Sequence, residues 1–289
     1  MDRAVLLKRS FSTVVLWVTV LGMIFSGWKT GCVVLLGVAA LLAQWEFYRI
    51  QEEKKFRVFK KWGVTCGAIL YVGCWFLLLH ASAYAGRFAL WEHLVFVALT
   101  IGVLLRLVVF PDPLETPIVS VALTLFGFFY VPYLFSFVAQ VAFLPGAPYE
   151  ATFTILYLLA VTKFCDAGAY VVGSLWGRHK MIPRISPGKT WEGFAGGILT
   201  SMAVSIFLWR LHPQGLPPFG WGDALVCGFL LALASVVGDL AESVVKRDAH
   251  VKDSGHAFPG IGGVLDLIDS LLFTAPVFYF YVALVVRWR

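Results

Sequence analysis

The chain has 289 residues, of which 60% are hydrophobic and 14% charged, and its mean hydropathy is +0.82. These values exclude an ordinary water-soluble fold and point to an all-α, polytopic integral membrane protein. The net charge of +6 is split among short loops between apolar runs, so no continuous basic face forms and no nucleic-acid partner is expected. Cys32, Cys66, Cys74, Cys165 and Cys227 lie in apolar stretches without C-x-x-C or Cys/His spacing, which disfavours zinc and a disulfide framework.

Arg3, Lys8 and Arg9 precede an apolar run from Phe11 to Phe25. No small-x-small cleavage site follows, and Lys29-Thr30-Gly31-Cys32 lacks the apolar residue of a lipoprotein processing site, so the run reads as a retained first helix. Stretches of the roughly 17–25 apolar residues that cross a bilayer fall near 11–27, 30–48, 63–80, 92–110, 117–141, 151–173, 193–211, 221–241 and 268–287. About nine transmembrane helices are therefore expected. Cytoplasmic loops collect Lys and Arg. With the N-terminus inside, sixteen of these residues fall on the cytoplasmic side, in clusters at 3–9, 49–61, 178–189 and 246–252, against five outside. That asymmetry predicts a cytoplasmic N-terminus and an outer C-terminus. The turn 111–115 carries no basic residue, so charge does not test it. No linker, low-complexity tract or short repeat interrupts the chain. It reads as one membrane domain over 1–289, with N-terminal helices to about 150 and the chemistry in the helices and cytoplasmic loops of 151–289.

The first constellation with chemical content begins at Lys163 and Asp166 within an apolar span. It continues through Arg178, Arg184, Ser186, Gly188, Lys189, Thr190 and Glu192. Cations, hydroxyls and glycine N–H groups together suit a polyphosphate. This is not a P-loop, because Pro183 occupies the place of the first glycine. By itself the segment reads by default as a solvated basic loop that obeys the charge rule.

The second constellation fills 238–270. Asp239, Glu242, Ser243 and Lys246 stand at i, i+3, i+4 and i+7, which sets two carboxylates, a hydroxyl and an ammonium on one helical stripe beside Arg247. At membrane depth such a stripe faces a partner or a water-filled cavity, and an ion pair joining helices is the competing reading. Asp253 follows in the loop, then Asp266 and Asp269 at i, i+3. Hard oxygen donors of this kind suit Mg²⁺, although Asp269 equally suits a carboxylate answering a helix dipole. Between them Pro259-Gly260-Ile261-Gly262-Gly263 gives a turn whose backbone can approach a phosphate closely.

These residues resemble the phosphatidate cytidylyltransferases, or CDP-diacylglycerol synthases, whose C-terminal signature reads S-x-x-K-R-x-x-x-x-K-D-x-x-x-x-x-P-G-H-G-G-x-x-D-R-x-D-S. Ser243, Lys246, Arg247, Lys252, Asp253, Pro259, Gly260, Gly262, Gly263, Asp266, Asp269 and Ser270 match it in register. Asp166-Ala-Gly-Ala-Tyr and Ser186-Pro-Gly-Lys-Thr-Trp-Glu-Gly are similar to two further elements of that family. Ile261 and Leu267 stand where the family pattern has histidine and arginine.

The resemblance implies transfer of CMP from CTP to phosphatidate. The distribution of basic loops puts the site on the cytoplasmic face, and a retained first helix without organelle-targeting features suits a bacterial inner membrane. CTP, phosphatidate and membrane lipids are the implied partners, Mg²⁺ the implied cofactor. A monovalent cation and a homodimer are compatible with it. A phosphomonoester with a second pKa near 6 is already a nucleophile at neutral pH, so the missing histidine is tolerable. On this reading Asp239, Asp253, Asp266 and Asp269 hold metal, and Asp239, Asp253 and Asp266 act in catalysis with Lys246 and Arg247. Asp166, Ser186, Lys189, Thr190, Ser243, Lys252, Gly262 and Gly263 bind substrate. A CTP-dependent transferase or kinase acting on another membrane lipid and an ion or solute transporter are the competing functions; product identity separates the first, and internal inverted repeats, which the sequence lacks, would mark the second.

Overall fold

The computed structural model describes residues 3–78, 87–109, 116–142, 151–216, 218–251, 253–255, 257 and 262–286. Among the described residues the chain forms α1 (Arg3–Phe25), α2 (Lys29–Glu53), α3 (Lys60–Gly73), α4 (Arg87–Val109), α5 (Pro117–Phe128), α6 (Leu134–Ala142), α7 (Ala151–Trp176), α8 (Trp191–Leu211), α9 (Trp221–Asp248) and α10 (Val264–Tyr281). A π turn at Phe129–Tyr133, which contains Pro132, joins α5 to α6. Proline removes an amide donor there, and the wider turn accommodates the break.

Seven helical stretches among the described residues are long and apolar enough to cross a membrane: Lys29–Glu53, Arg87–Val109, Pro117–Val141, Ala151–Trp176, Trp191–Leu211, Trp221–Asp248 and Val264–Val285. The chain is a multi-pass membrane protein built almost wholly of helix. Two of the nine expected spans, near 11–27 and 63–80, are not among these seven. In α1 the described side chains begin at Val14, and Val14–Phe25 forms a shorter apolar stretch. At the third expected span, α3 passes into a π turn at Cys74–Leu78, and residues 79–86 lie outside the described residues. On α4, Leu90, Leu94, Val97, Ile101, Leu105 and Val108 are exposed at steps of three or four, while Val95, Leu99 and Val103 are buried. An outward apolar stripe of that length suits lipid rather than water.

One departure from an all-helical chain sits in the basic loop. Strands β1 (Lys180–Ile182) and β2 (Ser186–Thr190) pair antiparallel, and the amide of Ile185 donates to the carbonyl of Ile182 at 3.2 Å to close the turn. Strands of three and five residues that include Ser-Pro-Gly carry almost no alternating apolar signal.

The chain divides into two compact units. The first comprises Met1–Ala139 with Asp248–Leu267, the second Gln140–Arg247 with Ile268–Arg289. The segment after α9 thus folds with the N-terminal helices. Buried polar groups knit the first unit: Tyr48 donates to the carbonyl of Thr124 at 2.7 Å, and Gln44 donates to Tyr48 at 3.1 Å and to the carbonyl of Gly63 at 3.0 Å. These bonds join α2, α3 and α5, a role that hydrogen bonds take where lipid offers no hydrophobic drive between helices. In the second unit, α7 and α8 approach closely because Gly196 and Gly197 face Val172 and Ala169. Ser201 of α8 donates to the carbonyl of Gly228 in α9 at 2.8 Å, and Thr162 of α7 to Thr274 of α10 at 3.1 Å.

Candidate active site

Within the second unit, α7, the β1–β2 hairpin, α8 and α9 enclose a cavity of about 400 Å³. Asp166, Tyr170 and Gly173 line it from α7, Ser186, Gly188, Lys189 and Thr190 from β2, and Asp239 from α9. Five sequence-predicted residues (Asp166, Ser186, Lys189, Thr190 and Asp239) are therefore brought to one wall-to-wall space.

Local chemistry explains how each is held. Thr190 caps α8: its backbone is extended, and its Oγ1 accepts the amide hydrogen of Gly193 at 3.1 Å. One residue into the helix, Glu192 accepts the amides of Arg178 and His179 and meets His179 Nδ1 at 2.6 Å. The amide of Trp191 closes onto the carbonyl of His179 at 2.9 Å. The base of the hairpin is thus locked onto the start of α8, and Lys189 projects from a fixed strand end. Thr190→Ala removes this cap and should lower stability by about 1 kcal/mol, read as a fall in the thermal midpoint of the detergent-purified protein; Thr190→Ser should retain it.

Lys189 Nζ lies 2.9 Å from Asp239 Oδ2, with the two side chains 21% and 40% exposed. Ser243 also donates to Asp239, at 3.4 Å. One turn on, Lys246 meets Glu242 at 2.5 Å, and the Glu242 side chain is only 1% exposed. The stripe read from the sequence therefore resolves into two i,i+4 pairs. Arg247, at the end of the stripe, donates from Nε to the carbonyl of Ile185 at 3.3 Å and so ties α9 to the hairpin turn.

Asp166 accepts from Ser235 at 2.8 Å and from Ser270 at 3.4 Å. Lys163 stands 3.7 Å from Asp166 and donates to Ser270 at 3.0 Å. Asp166 is thus both a wall of the cavity and a brace that joins α7 to α9 and α10. Asp269 is buried at 8% exposure, accepts the amide of Ser270 at 2.6 Å, and feels the charges of Lys163, Asp239 and Asp166. It lies in the second turn of α10, so the dipole-facing carboxylate is not this one.

That place belongs to Asp266, in the first unit. Asp266 Oδ2 accepts the amide of Gly263 at 2.7 Å, the amide of Ser254 at 3.0 Å and the hydroxyl of Ser254 at 2.8 Å. Its bond back to Gly263, just before α10, is the reaching-back half of a capping box. Gly262 has φ of +124°, a conformation that glycine alone adopts freely, and a Cβ there would also strike Asp266. Gly262 and Gly263 therefore serve the turn's shape and the cap. Asp253 is exposed in the bend before Ser254. Lys252 and Ile261 lie outside the described residues; Leu267 follows Asp266 in α10.

The sequence reading passed over Glu46. It is buried at 8% exposure in α2 and accepts the amide of Leu265 at 2.9 Å and the hydroxyl of Ser254 at 3.2 Å. The signal was available: an ionisable residue inside an apolar span needs a partner.

The model of the Cytidylyltransferase family matches residues 7–285. The chain is 45% identical over 128 residues to the uncharacterized protein YnbB of Escherichia coli, a match covering 44% of this chain and 42% of that protein. It is 38% identical over 165 residues to a phosphatidate cytidylyltransferase of Haemophilus influenzae, covering 51% and 56% of the two chains. A phosphatidate cytidylyltransferase of Bacillus subtilis is 43% identical over 130 residues, covering 45% and 47%. The chain spans about half the length of these curated relatives.

Proposed function

The chain belongs to the cytidylyltransferase family, and we propose on that footing that it transfers CMP from CTP to phosphatidate, giving CDP-diacylglycerol and pyrophosphate. The observation that carries this reading is the second-unit cavity, where Lys189 and Asp239 meet beside Ser186, Gly188 and Thr190. A lipid phosphate oxygen attacks the α-phosphorus of CTP. The bond from that phosphorus to the β-bridging oxygen breaks, and pyrophosphate leaves with the electron pair. No strong base is needed, so positioning and charge do the work.

Lys189 is the cation placed to accept a phosphate oxygen, exchanging Asp239 for it. Ser186 offers a hydroxyl donor along the same strand, beside Gly188. Lys246 and Arg247 add positive charge at the foot of α9. Asp166 keeps α7 against α9 and α10 and so fixes the cavity's depth.

Mg²⁺ fits Asp239, a half-buried carboxylate beside a cation, with Asp269 buried within its electrostatic reach. Among the described residues no three His, Cys, Asp or Glu gather into a metal cage; Mg²⁺ typically takes one or two carboxylates and completes its shell with water and substrate phosphates. When bound, it supplies charge neutralisation at the phosphate oxygens. A monovalent cation is compatible with the same acidic group. Asp266 is assigned to holding the turn before α10 and Asp253 to the exposed bend beside it. Lys252 keeps the phosphate-binding role that the signature gives it.

The excess of Lys and Arg on alternate loops supports nine spans, a cytoplasmic N-terminus and a cavity open to cytoplasmic CTP, in a cell inner membrane. The reading predicts that full-length protein, given CTP, phosphatidate and Mg²⁺, forms a lipid whose mass equals CDP-diacylglycerol. Folded protein that forms none contradicts it.

A further inference from the structure

The start of α10, and Ser254 in the segment before it, are held by a carboxylate from a helix more than two hundred residues earlier. Glu46 Oε2 accepts the amide of Leu265 at 2.9 Å and the hydroxyl of Ser254 at 3.2 Å. The amide of Leu265 belongs to the first turn of α10, whose N–H groups have no partner within the helix. A carboxylate there satisfies that donor and also meets the positive end of the helix dipole. The approach is close: a Cβ on Gly255 would stand 2.4 Å from Glu46 Oε1, and one on Gly263 2.4 Å from Oε2. Ser254 has one hydroxyl proton and two carboxylates facing it, Glu46 and Asp266, so the Leu265 amide is the donor that Glu46 holds alone.

We infer that Glu46 is a positioning residue for the transfer reaction: it fixes the first turn of α10, the helix that carries Asp269 and Ser270. The inference rests on the function proposed above. It accounts for a charge deep in α2 that has no role in spanning a membrane, and for glycine at both 255 and 263, where the backbone must lie against a carboxylate.

Glu46→Gln keeps one oxygen for the Leu265 amide and loses the charge, while Glu46→Leu removes every acceptor. In the full-length protein the amides of Gly263 and Leu265 should exchange with solvent about tenfold faster in Glu46→Leu, the consequence of one lost buried hydrogen bond. Glu46→Gln should fall between Glu46→Leu and the parent. At a temperature where all three proteins stay monodisperse, kcat per folded protein should drop about tenfold or more in Glu46→Leu, with partial recovery in Glu46→Gln. KM for CTP should stay within about twofold, as expected when an interaction acts on the transition state. Unchanged exchange at these amides overturns the anchor. Faster exchange with undiminished kcat overturns the positioning role. A parent chain that makes no cytidylylated lipid sinks the function instead, and leaves the exchange measurement to decide the anchor.

Discussion

Replacing Asp239 by Ala is expected to abolish CTP-dependent product formation, a fall of about a thousandfold or more, the scale of losing a central electrostatic group. Asp239 lines the cavity and meets Lys189 at 2.9 Å and Ser243 at 3.4 Å. Both members of the Lys189 pair are partly exposed, at 21% and 40%, so their attraction is screened and its loss should cost no more than about 1 kcal/mol of stability. Folding and chemistry therefore separate: the thermal midpoint should barely move while turnover vanishes. Asp239→Asn, which keeps the shape and the contact with Ser243, should be nearly as inactive, because on the proposed mechanism it is the carboxylate charge that would hold Mg²⁺ at the phosphates. Turnover of either variant within a few-fold of the parent would remove Asp239 from the mechanism.

The second large effect is on stability. Glu242 is a carboxylate with 1% of its side chain exposed, and Lys246 meets it at 2.5 Å. Lys246→Met withdraws that ammonium from a buried anion and should destabilise the protein by about 3–5 kcal/mol. The cost lies in the stranded charge rather than in the lost bond. The double variant Glu242→Leu, Lys246→Met should accordingly recover most of the stability, since a well-packed apolar pair often matches a buried ion pair. Activity should not recover with it, because Lys246 is also assigned to the phosphates. Thermal unfolding in detergent reads the first outcome and a CTP assay the second. A single variant as stable as the parent would show that Glu242 is held by its other contacts.

Burial decides how much of this the sequence could disclose. The long apolar runs are legible because lipid imposes both length and composition, and seven of them emerge among the described residues as helices long and apolar enough to cross a membrane. The stripe from Asp239 to Lys246 is legible because helical spacing alone puts its members side by side. Spacing cannot say which members pair, and the structure divides them into Asp239 with Ser243 and Glu242 with Lys246. The hairpin at 180–190 leaves no periodic trace, since its strands are too short to alternate. Asp266 and Asp269 differ by three residues and look alike in sequence, yet one caps α10 and the other is buried a turn later. Glu46 stayed hidden because its partners at 254 and 265 are more than two hundred positions away. The return of Asp248–Leu267 to the first unit is the same kind of fact: a long-range pairing that no local pattern encodes.

On the proposed function CMP, and not a terminal phosphate, passes from CTP to the lipid. Purified full-length protein should be given phosphatidate and Mg²⁺ with CTP labelled at the α-phosphate in one reaction and at the γ-phosphate in another. Transfer of CMP predicts label in the extracted lipid from the α-labelled nucleotide alone, with pyrophosphate released in equal amount. Lipid labelled from the γ-position, with CDP as the second product, would contradict it.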